Sequence, residues 1–357
     1  MPARRGESVT AGSDDVLIRV DDGVGFATLN RPKAINSLNQ SMVNTLTSVL
    51  AGWEHDDTVR AVVLSGAGER GLCAGGDVVA VYHSARKDGA EARHFWRTEY
   101  LLNRRIARFA KPYVSIMDGI VMGGGVGVSA HANTRVVTDT SKVAMPEVGI
   151  GFIPDVGGVY LLSRAPGALG LHAALTGAPF SGADAIALGF ADHFVPQTEL
   201  GAFTAAIVSD GVTAALASHA IEPPPSTLAA QRGWIDECYA GDSVAEILAA
   251  LDEYGARADA TLAQDAARMI GGRSPIALSV TLAAVRRAAK LETLEHVLTQ
   301  DYRVSSASLR SHDLVEGIRA QLVDKDRNPK WSPATLAEVT ATDIDAYFAP
   351  VDDDVSF

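Results

Sequence analysis

Apolar and polar positions alternate along VLIRVDDGVGFATLN, residues 16–30, on either side of Asp22-Gly23. A period of two flanking an Asp-Gly pair predicts a β-hairpin. NRPKAINSLN follows as a loop, and Asn39 or Ser41 stands where it would cap a helix running to about Trp53. RAVVLSG (60–66) and KPYVSIMDG (111–119) are short apolar runs that predict buried strands, with TRVVTD (134–139) as a third. ERGLCAGGD (69–77) predicts a loop with Asp77 as an N-cap. Residues 91–109 are helical by period, and VMGGGVGVSAHA (121–132) opens a helix from a glycine turn. DVGGVYLLSRA and GALGLHAALTG predict two short helices, and SGADAIALGFADHFV a helix, a glycine turn and a strand.

Strands alternating with helices predict an α/β core, here to about residue 220. EPPPS (222–226) is the clearest boundary, because three prolines cannot continue a helix. Everything beyond it reads helical. In SPIALSVTLAAVRRAAK (274–290) a serine stands at the N-cap, a proline at the first helical position and basic residues near the end.

Composition narrows the class. The chain has 357 residues, 47% apolar and 21% charged, which is globular and long enough for an ample core. Its formal net charge of −12 argues against a nucleic-acid binder, although a local basic pocket for a small anion remains compatible with it. Cys73 and Cys238 lie far apart and form no CxxC pair, so neither a zinc site nor a redox motif is indicated. MPARRGESVTAGSDD has basic residues with no apolar segment behind them, which predicts a disordered lead over 1–14 rather than a signal peptide. No apolar run is long enough to span a bilayer. The expectation is a soluble, cytoplasmic protein.

Three stretches carry candidate chemistry. In GGGVGVSA, Gly125, Gly127 and Ala130 satisfy G-x-G-x-x-A, which reads either as a dinucleotide turn or as close packing of a helix on a sheet. GVSAH resembles a nucleophile elbow at Ser129, but His131 replaces the last glycine of that motif. CAGGD and GGG both present backbone N–H groups at strand-to-helix turns, as two tight turns or as the halves of an oxyanion hole. AMPEVGIGFIPDVGG (144–158) holds Glu147 and Asp155 among apolar neighbours. An ionised acid there is costly unless it is paired or used. Glu147 pairs with a distant arginine or serves as an acid–base group; Asp155 is an N-cap for GGVYLLS, a functional acid, or both. No histidine pair stands at metal-ligand spacing such as HExxH.

NRPKAINSLN, GLCAGGD, MDGIVMGGGVGVS and AMPEVGIGFIPDVGG, in this order, resemble the crotonase (enoyl-CoA hydratase/isomerase) superfamily. FWRTEYLLN, PEVGIGFIPDVGGVYLLSR, QDYRVS, DLVEGIRAQLVDKDRNPKWSPATLAEVT and DAYF are similar, more narrowly, to 3-hydroxyisobutyryl-CoA hydrolases. The resemblance covers roughly 15–348 and implies a crotonase-type spiral of ββα units with a helical C-terminal region. The acyl-CoA-binding core would occupy 15–221 and the helical region 227–357. It implies hydrolysis of a short-chain 3-hydroxyacyl-CoA, with Glu147 and Asp155 as catalytic acids and Gly76 and Gly124 as the oxyanion hole. Glu99, Gly124, Glu147 and Asp155 match the substrate-site positions, and Lys33 and Ala34 the CoA-contacting loop. It implies no permanently bound cofactor, with coenzyme A entering as part of the substrate. Relatives commonly form trimers or dimers of trimers, so a homo-oligomer is among the implied partners. The second glutamate of the two-glutamate hydratases falls at Gly127, which counts against addition of water to an enoyl-CoA.

Overall fold

The computed structural model describes residues 14–257 and 260–357. Apart from Asp14, the expected lead over 1–14 lies outside the described residues. β1 (Val16–Asp21) and β2 (Val24–Leu29) form the hairpin, antiparallel from Val16–Leu29 to Asp21–Val24. Asp22 and Gly23 turn it at φ +42° and +78°, the two positive values that a tight two-residue turn needs. α1 (Gln40–His55) begins at Asn39, whose side-chain oxygen accepts the Met42 N–H at 2.9 Å, so Asn39 rather than Ser41 is the cap.

β3 (Ala61–Gly66), α2 (Val78–Ala85), α3 (Ala90–Ala107) and β4 (Tyr113–Met117) follow, with Asp77 capping α2 through the Ala80 N–H. The pattern did not predict β5 (Ile120–Met122), whose three residues are too short to show a period. Then come α4 (Gly124–Ser129), β6 (Thr134–Val137), β7 (Lys142–Ala144), α5 (Gly158–Leu162) and α6 (Leu169–Thr176). β8 (Phe180–Ser181), α7 (Gly182–Ala187), β9 (His193–Phe194), α8 (Leu200–Asp210) and α9 (Val212–His219) lead to the proline run. Beyond it lie α10 (Arg232–Cys238), α11 (Val244–Arg257), α12 (Thr261–Gly271), α13 (Pro275–Ala288), α14 (Leu294–Ser308), α15 (His312–Ile318) and α16 (Ala341–Ala346). α13 starts as its sequence predicts: Ser274 accepts the Ala277 N–H at 3.1 Å and Pro275 is the first helical residue.

The chain divides into two compact units. The first holds the described residues up to Gly76, Leu101–Val143 and Phe180–Pro225. Its six-stranded sheet has the order β1-β2-β3-β4-β6-β9 and is parallel except for the β1–β2 hairpin. One face of that sheet, with Phe26, Val63, Val114 and Val136, packs on Phe203 and Ile207 of α8 and Ala215 of α9. Each large apolar side chain so buried contributes about 1.5–3 kcal/mol. A second sheet has the order β5-β7-β8.

The second unit holds Asp77–Tyr100, Ala144–Pro179 and Ser226–Phe357. The division at Pro225 and Ser226 falls inside the proline-rich boundary. Residues 77–100 and 144–179, read from sequence with the core, belong instead with the C-terminal helices. The reason is packing: α2 lies on α15, α5 on α13 and α14, and α6 on α10, α12 and α13. All eight residues of α6 are buried, leaving no polar face.

Candidate active site

Three sequence-predicted acids meet in the second unit. Glu99 comes from α3. Glu147 opens a single 3-10 turn, Glu147–Ile150, that follows Pro146. Asp155 lies in the loop before α5. Their exposures are 2%, 7% and 5%, and a fourth acid beside them, Asp301 of α14, is at 0%. The Glu147 turn is closed by Gly151 at φ +71°. A Cβ at Gly151 would stand 2.2 Å from the Asp313 carbonyl oxygen, so only glycine fits there. Trp96 and Phe152 stack beside these elements, with centroids 5.4 Å apart and planes at 12°.

Among the described residues the charges that act on Glu147 are those of Asp155 and Glu99, and no arginine faces it as the distant-arginine reading requires. Among the described residues, Glu147 Oε2, Glu99 Oε1 and Asp301 Oδ1 are buried with no hydrogen-bond partner. Asp155 is held differently: the Tyr100 hydroxyl donates to its Oδ2 at 2.6 Å and lies 2.8 Å from Ser305 Oγ. The N-cap reading of Asp155 is also overturned. Gly157, at φ +75°, is the N-cap of α5 and no side chain caps that helix. The Asp155 carboxyl is engaged with Tyr100 instead.

Burial dominates the proton affinity of all four acids. It holds Glu99 and Glu147 well above the usual carboxylate range, and the Asp155 charge pushes both further. Asp301 is raised by burial, eased by the Gly157 N–H and raised again by Asp155. Burial lifts Asp155 from 3.8 to about 7, against the lowering effect of the Tyr100 hydroxyl. Like charges this close do not all ionise together, so the set titrates as a unit and holds protons at neutral pH. A group of this kind can both accept and deliver a proton near pH 7. Among the described residues, no three His, Cys, Asp or Glu are arranged to hold a metal ion.

The glycine turns meet in the first unit. Leu38 and Gly76 form a parallel bridge in which the Leu38 N–H donates to Gly75 O at 2.8 Å. Gly124 is the first residue of α4, where an N–H has no intrahelical partner. A Cβ at Gly75 would lie 3.4 Å from Met122 O and 3.8 Å from the Gly124 nitrogen, so the two turns are immediate neighbours. Lys33 and Ala34 are exposed in the 3-10 turn Pro32–Ala34, whose carbonyls at Pro32 and Lys33 accept from Arg70 at 2.6 and 2.7 Å.

The other glycine readings resolve toward packing. A Cβ at Gly125 would stand 2.5 Å from Cys73 O, so this glycine admits a neighbouring backbone. Ser129 is buried and its Oγ donates to Gly125 O at 2.6 Å, the in-helix bond of a structural serine. Two depressions, of about 540 and 410 Å³, lie elsewhere, and neither is lined by a candidate acid.

The model of the enoyl-CoA hydratase/isomerase family matches residues 24–348. The chain belongs to that family. It is 38% identical over 357 residues to the mitochondrial 3-hydroxyisobutyryl-CoA hydrolase of Danio rerio, covering 97% of this chain and 92% of the relative. Among solved structures it is 70% identical to a carnitinyl-CoA dehydratase from Mycobacterium thermoresistibile, with TM-score 0.93 over 97% of this chain and 99% of that one. An enoyl-CoA hydratase from Rhodobacter sphaeroides 2.4.1 is 39% identical, with TM-score 0.90 over 96% and 100%. The crotonase-type α/β fold with a helical C-terminal region, expected from the sequence, is therefore the fold of this family member.

Sequence reasoning missed Asp301, Tyr100 and Ser305. Asp301 and Ser305 lie in QDYRVS, which carried the resemblance but no chemical signal of its own.

Proposed function

We propose that the protein hydrolyses a short-chain 3-hydroxyacyl-CoA thioester, with 3-hydroxyisobutyryl-CoA, an intermediate of valine breakdown, as substrate. The observation that carries this is the identity of the second acid. Asp155 shares a buried, proton-holding environment with Glu147. Gly127, where the resemblance places the hydratases' second glutamate, has no side chain.

In this reading the amides of Gly76 and Gly124 polarise the thioester carbonyl and hold the tetrahedral oxyanion. Glu147 in its ionised form takes a proton from water as the C–O bond forms, or attacks directly to give a transient anhydride that water opens. The C–S bond breaks, and Asp155 protonates the departing thiolate or orients the water and the 3-hydroxyl. Glu99 lines the acyl pocket, and Lys33 and Ala34 contact the CoA. No permanently bound cofactor enters this scheme. None of the described helices is long and apolar enough to cross a membrane. In our reading the enzyme is cytoplasmic. It would act as a homo-oligomer, a trimer or hexamer.

A second reading has a specific observation behind it. The 70%-identical solved structure is named a dehydratase, which eliminates water and leaves the thioester intact. A panel of short acyl-CoAs separates the two. Hydrolysis gives free thiol from 3-hydroxyisobutyryl-CoA, whereas dehydration gives enoyl absorbance with no thiol. Enoyl product without thiol across the panel would overturn the hydrolase reading.

A further inference from the structure

Asp155 stands on a turn that needs holding. Val156, a β-branched residue, has φ +52°, and Gly157 has φ +75°. A β-branched side chain in the left-handed region persists only where the surroundings impose it. Here one face of α14 supplies part of that hold. Asp301 Oδ2 accepts the Gly157 N–H at 2.9 Å. Four residues on, Ser305 Oγ lies 2.8 Å from the Tyr100 hydroxyl, which donates to Asp155 Oδ2 at 2.6 Å. Residues four apart share a helix face, so both holds come from one side of α14.

Asp301 is also an expensive choice for a structural bond. It is fully buried, and its second oxygen, Oδ1, has no hydrogen-bond partner among the described residues. A neutral side chain would satisfy the Gly157 amide without bringing an ionisable group among three other acids.

We propose that Asp301 and Tyr100 are positioning residues for Asp155: Asp301 fixes the turn that carries it, and Tyr100, backed by Ser305, fixes its carboxyl oxygen. α14 thereby sets the aim of the second acid. This rests on the reading in which Asp155 acts on the thioester, but the test lets the two fail separately. The titratable groups around Asp155 are Glu99 and Tyr100 of α3, Glu147 of the 3-10 turn and Asp301 of α14.

The full-length protein is labelled with ¹³C at the aspartate carboxyls, and the Asp155 resonance is the one lost in D155N. Tyr100→Phe removes the donor to the ionised carboxyl, so the Asp155 midpoint rises from about 7 by about one unit or more. Asp301→Ala, which leaves Gly157 without its acceptor, lowers kcat by about tenfold or more with KM within about threefold, the signature of misplacement rather than lost binding. Asp301→Asn, which keeps an acceptor oxygen, restores most of that loss. An unmoved Asp155 midpoint in folded Y100F, or wild-type kcat in folded D301A, overturns the proposal. Should D301A not fold, the Y100F titration decides alone. Should the wild type release no thiol from any acyl-CoA, the hydrolase reading falls and the same titration still judges the positioning.

Discussion

Replacing Asp155 by Asn tests function and stability in opposite directions. Asp155 is 5% exposed, and burial raises its carboxyl from 3.8 to about 7. Between those values the unfolded chain has released the proton that the native state still holds. The Asp155 contribution to native stability therefore falls as pH rises from about 4 to 7 and is flat above, where this carboxyl is ionised in both states. At about 1.36 kcal/mol per decade of proton affinity, and with Asp155 titrating together with its neighbouring acids, the stability lost above pH 7 is on the order of a few kcal/mol. Asn does not ionise, and its oxygen can still accept from Tyr100. Allowing about 1 kcal/mol for an imperfect hydrogen bond, D155N is expected to be more stable than wild type by roughly 1–3 kcal/mol at pH 8 and no more stable at pH 4. Thiol release should meanwhile fall at least roughly tenfold, as expected for loss of an acid–base or orienting group. Urea denaturation from pH 4 to 8, with the thioester assay run alongside, reads both. A variant less stable than wild type at pH 8, or a stability difference independent of pH, would refute the electrostatic argument. Unchanged turnover would remove Asp155 from the mechanism.

Glu147→Gln should lower thiol release by roughly a hundred- to ten-thousand-fold while the fold is retained; full activity in the purified variant would end its proposed role. Gly151→Ala places a Cβ 2.2 Å from Asp313 O at φ +71°, and we expect a loss of at least about 2 kcal/mol in urea denaturation; unchanged stability would show that the loop relaxes freely. Gly125→Ala drives a Cβ toward Cys73 O and is expected to destabilise by about 1–3 kcal/mol. NADH added to the wild type should leave nicotinamide fluorescence unchanged, and a saturable change would restore the dinucleotide reading.

Much of the fold was legible because its signals are local. The Asp22-Gly23 turn, the caps at Asn39, Asp77 and Ser274, and the proline run at 223–225 each act over a few residues. The period of two or of 3.6 needs only a short window. β5 escaped because three residues show no period, and the grouping of 77–100 with the C-terminal helices escaped because it depends on which apolar faces meet.

The candidate site divides along the same line. The sequence by itself determined that Glu147 and Asp155 stand in an apolar, glycine-rich stretch, and its motifs marked Glu99, Gly76 and Gly124. Only the tertiary structure decided what those acids are. Asp155 lies 55 residues from Tyr100, and Gly157 lies 144 residues from Asp301. Nothing local in QDYRVS marks Asp301 as buried. A carboxyl's proton affinity is set by the water it has lost and the charges that face it, and both are properties of the packed chain. That is why Asp155, open in the sequence as an N-cap, a functional acid or both, became in the fold a buried acid held by a tyrosine.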